Sequence, residues 1–176
     1  GRVPWVVQVL LYAACGAVLV ALLLFGVRQQ VNILNEETRL AWPQDQQGIA
    51  WVAENIPPDA KLAVNSWQWL PNTWASSDGG GWLLPLAQRQ TTTPPVDYTF
   101  EAPLTLEVMA FNEGAQEIED WSTAVAADFL RQHGVTHVYV GQKGGFLDPA
   151  ELHENPEMVL LYRQNGVFVF ALTAVP

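Results

Sequence analysis

Residues 76–95 read SSDGGGWLLPLAQRQTTTPP, and the reading of this stretch decides the fold. Asp78 stands before three glycines, an apolar run broken by Pro85 follows, and then come Arg89, three threonines and a double proline. Three readings compete: a phosphate cradle, a catalytic carboxylate on a loop, or a corner where the chain passes from strand to helix. A dinucleotide fingerprint needs G-x-G-x-x-G, and a P-loop needs Lys-Ser/Thr after its last glycine. Neither is present, and a carboxylate at the mouth of the loop would repel phosphate. Aspartate is a favoured residue at helix starts, and glycines let neighbouring elements approach closely. The stretch is therefore expected to be a corner in which Ser77 or Asp78 caps a short helix over 82–87, with a strand over 89–93 after it. Catalysis by Asp78 is the lesser alternative. Ligands do gather in loops after strands of α/β sheets, but acid–base work calls for a second titrating group, and the sequence places none beside it.

Working outward toward the N-terminus, KLAVN (61–65) reads as a short buried strand, followed by a tryptophan-rich loop holding Trp67, Trp69 and Trp74. The prolines of Pro57-Pro58-Asp59-Ala60 cannot extend a helix and mark a turn. Before them, Asp45 is placed to cap a helix over 46–55, with Ile49, Trp51, Val52 and Ile56 as its apolar face. Toward the C-terminus, 94–113 reads as a long irregular segment. A helix is expected over 118–133, where Trp121, Val125 and Phe129 recur every four residues, ended by Gly134. VTHVYVG (135–141) alternates as a strand. Asp148-Pro149 opens a short helix. Two apolar runs, 158–163 and 167–172, flank Gln164-Asn165-Gly166, a strong hairpin signal. Helices alternating with strands, then a hairpin, predict an α/β domain: a small, mostly parallel sandwich of two or three layers with a C-terminal β-hairpin.

Residues 3–27 are apolar apart from Gln8, with Arg2 and Arg28 as flanking charges. A helix of this length spans the ~30 Å hydrocarbon core of a bilayer with room to tilt. The apolar run exceeds the core of a signal peptide, and no A-x-A cleavage pattern follows it. A retained transmembrane helix is expected over 1–28, a helical stalk over 29–43 and the α/β domain over 44–176. Because the chain opens on Gly1 almost directly in the helix, it is expected to be the tail of a longer polypeptide or a processed one. One arginine on each side gives the positive-inside rule no majority.

The 148 residues beyond Arg28 carry six basic against eighteen acidic residues, a formal charge of −12. Such a domain repels nucleic acid and anionic lipid. The one cysteine, Cys15, lies in the membrane segment, so the domain has no disulfide or thiolate chemistry. His133 and His137 are four apart, but Gly134 between them puts them on different elements, which argues against a metal site. There is no G-x-S-x-G nucleophile elbow and no C-x-x-C-H haem motif, and no cofactor is expected. Trp67, Trp69, Trp74 and Trp82 fall within sixteen residues. They read equally as core fillers or as an exposed aromatic surface for a sugar, a bilayer interface or neighbouring membrane helices. Asp78, Arg89 and these four tryptophans are the candidate ligand or partner surface.

Four stretches together carry a resemblance: WVAENIPPDAKLAVNS (51–66), DGGGWLLPLAQRQTTTPP (78–95), GVTHVYVGQKGG (134–145) and LLYRQNGVFVFAL (160–172). This order resembles the C-terminal extracytoplasmic domain of large multi-spanning bacterial membrane proteins similar to GT-C glycosyltransferases, which take sugars from polyprenyl-phosphate donors. The resemblance covers nearly the whole domain, with the preceding helix as the last span. It implies a lid or acceptor-facing domain outside the cytoplasm, with a lipid-linked sugar or membrane-protein partner. In that class the catalytic carboxylates sit in an early loop between the first spans, so the resemblance assigns no catalytic residue here. The leading expectation is thus an anchored domain that is non-catalytic by itself. One rival is an accessory structural subunit of a large, energy-transducing membrane complex. The other is an independent enzyme using Asp78 and His137.

Overall fold

A computed structural model describes residues 4–31 and 38–173. The chain divides into two compact units, residues 1–39 and 40–176.

In the first unit, α1 (Trp5–Val31) is one unbroken helix of 27 residues. Its stretch Trp5–Gln30 has a mean hydropathy of 2.5 and is long and apolar enough to cross a membrane. At about 1.5 Å per residue it measures roughly 40 Å, and it runs past Arg28, where the membrane segment was expected to end. The expected stalk lies partly outside the described residues. Of the rest, residues 39–42 are not helical, because Pro43 drives the residue before it into extended backbone. Trp42 has φ −116° and ψ 168°.

The second unit is a three-layer α/β domain. Its helix α2 (Pro43–Asn55) starts on a proline at its first position, where the missing N–H costs nothing. Asp45 therefore sits inside the first turn, not before it as expected, and its Oδ2 accepts the Trp42 N–H at 2.8 Å. Three strands run parallel: β1 (Lys61–Ala63) lies between β4 (Gln90–Thr91) and β5 (His137–Val140). The C-terminal hairpin, β6 (Met158–Gln164) and β7 (Val167–Leu172), joins antiparallel through β7 and gives the order β4-β1-β5-β7-β6. Its turn is built by Asn165 at φ 50° and Gly166 at φ 84°, the left-handed pair that a tight hairpin requires.

Both faces of the sheet are buried, and the strands alternate between two cores. Leu62 and Val64 of the β1 segment, with Tyr139, Val167 and Val169, pack on Ile49 and Val52 of α2 and on Ile56 just after it. Ala63, Val138, Val140 and Phe170 face the other way, toward α3 (Ala102–Ala115), α4 (Ala124–Gln132) and α5 (Pro149–Glu154).

Three local expectations need correcting. The tryptophan-rich segment is a hairpin of β2 (Ser66–Leu70) and β3 (Thr73–Ser76), forming a second, two-stranded sheet. The segment read as irregular over 94–113 holds α3, entered through a 3₁₀ turn at Val96–Phe100. Its apolar residues (Val108, Phe111, Ala115) follow helical spacing, hidden in the sequence by the prolines upstream. The helix expected over 118–133 begins only at Ala124, because the Thr123 side chain caps it by accepting the Ala126 N–H. Gly134, at φ 69°, ends it as expected.

Candidate functional site

In a sheet of this order the chain leaves β1 for β4 on one side and returns to β5 on the other. The crevice outside the C-terminal ends of β1 and β5 is where open α/β sheets bind ligands. Here that place is filled by the protein's own residues. Asp78 follows β3 and is 1% exposed. Its Oδ1 accepts the Gly80 N–H at 2.8 Å, which opens a 3₁₀ turn over Gly79–Trp82 as a cap. Its Oδ2 accepts the Asn65 Nδ2 at 3.0 Å and the Gly141 N–H at 2.8 Å. One carboxylate thus ties the end of β1, the end of β5 and the start of the corner together. Asn65 extends the tie, its Oδ1 accepting the Leu147 N–H at 2.9 Å.

Beside it lies Asp45, fully buried. Its Oδ1 accepts the Tyr139 hydroxyl at 3.1 Å and the Gln142 N–H at 3.0 Å. A Cβ on Gly141 would lie 2.8 Å from Asp45 Oδ1 and 2.9 Å from Asp78 Cγ, so the two carboxyl groups come within about 6 Å of each other. A Cβ on Gly79 would lie 2.5 Å from the Asp45 carboxyl, and one on Gly80 2.7 Å from Val64. The glycines are required by close approach, and no space is left for a phosphate. Burial pushes the Asp78 carboxyl up to about 6. The bonds from Asn65, Gly80 and Gly141 pull it down, and neighbouring Asp45 adds to the rise.

This is a pair of buried carboxyl groups at a strand-end crevice, which sequence reasoning did not assemble. Asp45 had been read only as a helix cap, and Tyr139 only as part of a strand. The alternation of Tyr139 with Val138 and Val140 was the available signal, since it turns the one polar side chain of β5's interior toward α2. The arrangement docks elements and leaves only 1% of Asp78 exposed. His137 cannot serve Asp78 as a partner. It begins β5, whereas Asp78 binds beyond its far end, roughly 13 Å away along a four-residue strand. His137 Nδ1 instead meets the Thr136 hydroxyl at 2.8 Å, and burial lowers its pKa.

The other candidates separate into two groups. Arg89 is buried and structural. Its Nε and Nη2 donate to the Ile56 carbonyl, its Nη2 also to Ala53 and its Nη1 to Ala87. It thereby satisfies the open carbonyls at the C-terminus of α2, where a cation is favoured. Trp74 is 3% exposed. The Tyr98 hydroxyl bridges its backbone, accepting from its N–H at 2.7 Å and donating to its carbonyl at 2.8 Å. Neither residue supplies surface, because each is spent on holding the fold together.

Trp67, Trp69 and Trp82 are about half exposed. Trp82 lines an apolar groove of about 230 Å³ with Leu40, Pro85, Pro94, Pro95 and Val96. Asp78 itself, with Ser76 and Gly81, also lines this groove. Leu83–Ala87 form one π-helical turn. It buries Leu83 and Ala87 and leaves Leu84 and Leu86 outside. Comparison with protein-family models and with curated proteins finds no match.

Proposed function

We propose that this chain is a membrane-anchored, extracytoplasmic α/β domain that is not catalytic by itself. It acts as the lid or docking tail of a membrane glycosyltransferase of the GT-C kind, with a lipid-linked sugar or the membrane part of the enzyme as its partner. The observation that carries the reading is the filled strand-end crevice. Asp45, Asp78, Asn65 and three glycines occupy the place where a ligand would sit, while Trp67, Trp69 and Trp82 remain on the outside. A domain so built works through its surface. The four-stretch resemblance over 51–172 supplies the glycosyltransferase, and α1 supplies the anchor. The acidic character of the domain, −12 beyond Arg28, is consistent with an uncharged or cationic partner and not with nucleic acid.

The test is the intact mass of the polypeptide in native membranes, with peptide coverage upstream of Gly1. The reading expects a mass far above 19.5 kDa, with further hydrophobic spans. A mass matching this chain alone would sink the glycosyltransferase assignment and favour an accessory subunit of a membrane complex.

A further inference from the structure

We infer that the β2–β3 hairpin is a finger that enters the interface of a neutral bilayer, with Trp67, Trp69 and Leu70 as the inserting side chains. The inference rests on the anchored part of the proposed function and not on the glycosyltransferase part.

The hairpin is a sheet of its own, outside the five-stranded one, and its two sides are treated oppositely. On the second strand Trp74, opposite Gln68, is buried with Tyr98 and Val108, so the hairpin is held on a fixed footing. On the first strand, Trp67, Trp69 and Leu70 are 47%, 50% and 51% exposed. The turn beyond them, Pro71-Asn72, is exposed too, with Asn72 at φ 62°. The pairing is irregular between Gln68 and Leu70, which discourages another strand from adding along this edge. Large apolar side chains left half exposed cost free energy in water, by roughly 25 cal/mol for each Å² they leave unburied.

Charge selects the occupant. From Leu62 to Ser77 there is no Asp, Glu, Lys or Arg, although the domain carries −12. The finger is therefore the part of an acidic surface that a zwitterionic headgroup layer does not oppose. Tryptophan favours that layer above other environments, its ring apolar and its N–H polar. The tether is short. Val31 ends the apolar helix and Leu40 begins the domain, nine residue steps apart, which reach at most about 32 Å when fully extended. At that range even weak interfacial affinity is satisfied, because the bilayer is present at high effective concentration.

The experiment uses the full chain with Cys15→Ser in phosphatidylcholine vesicles. A single cysteine is introduced at Leu70→Cys or, as a control, at Val159→Cys on the exposed outer strand of the C-terminal hairpin, and is labelled with an environment-sensitive fluorophore. Lipids spin-labelled near the headgroup should quench the label at position 70 at least three-fold more than the label at 159. Trp67→Ala/Trp69→Ala with the same label at position 70 should lower quenching to the control level, which removes attraction of the fluorophore itself as the cause. Equal quenching at 70 and 159 in vesicle-bound chain would overturn the inference, as would quenching at 70 by soluble saccharide or iodide but not by lipid. Failure of the chain to float with vesicles would overturn the anchoring as well, an outcome distinct from the first.

Discussion

Asp78 carries the corner, and its chemistry sets a pH dependence whose sign is fixed. An aspartate moved from its ordinary value of 3.8 to about 6 by burial keeps in the folded state a proton that the unfolded chain releases. Its contribution to stability is therefore present below about pH 4 and is lost as pH rises to about 6, by roughly 3 kcal/mol for two pH units. Comparing denaturant unfolding of the protein and of Asp78→Asn at pH 4 and pH 7 isolates the group, because the other carboxylates cancel. The advantage of aspartate over asparagine should shrink toward pH 7. If it grows, the three donors around the carboxylate outweigh its burial. At the neighbouring position, Gly141→Ala would push a methyl to 2.9 Å from the backbone nitrogen of Gly79 and to a similar distance from both carboxyls. It should cost about 1–3 kcal/mol by the same measurement, whereas Gly144→Ala, with open space around it but φ 72°, should cost only the backbone strain, about 1 kcal/mol.

At the level of elements, the tryptophans of one hairpin behave oppositely. Trp74→Ala should cost about 3–5 kcal/mol in unfolding free energy, because its ring is packed with Tyr98 and Val108. Trp67→Ala/Trp69→Ala together should cost within about 1 kcal/mol, since both rings are half in solvent. A thermal or denaturant melt separates the two cases. Arg89→Lys should destabilise by about 2–3 kcal/mol, because one ammonium cannot reach the carbonyls of Ala53, Ile56 and Ala87 that the guanidinium fork serves. These contrasts mark the limit of what was legible in sequence. Period and turn chemistry identified the β6–β7 hairpin, α5, Gly134 and the parallel β1 and β5, because each is specified by residues next to one another. The burial of Trp74 depends on Tyr98, twenty-four residues on, and no local pattern records it. In the same way α3 was hidden because Pro94, Pro95 and Pro103 read as breakers, while the last of them sits in the first turn of the helix, where proline is favoured.

For the whole molecule, a long apolar helix and an acidic α/β domain were both visible in composition, since each is a property of many residues at once. The closing of the strand-end crevice was not, because it joins Asp45, Asn65, Asp78 and Gly141 from four separate segments. That closing is the central point. It ties together the strand ends where folds of this kind usually hold a ligand. Hydrogen exchange of the full chain in phosphatidylcholine vesicles tests it most directly, read at the amides of Gly80 and Gly141, which donate to the Asp78 carboxylate. Both should be protected as strongly as the β5 amides and exchange only with global unfolding. Exchange within minutes at these two positions, while β5 stays protected, would show a crevice that opens to solvent and to ligands, and would contradict the account.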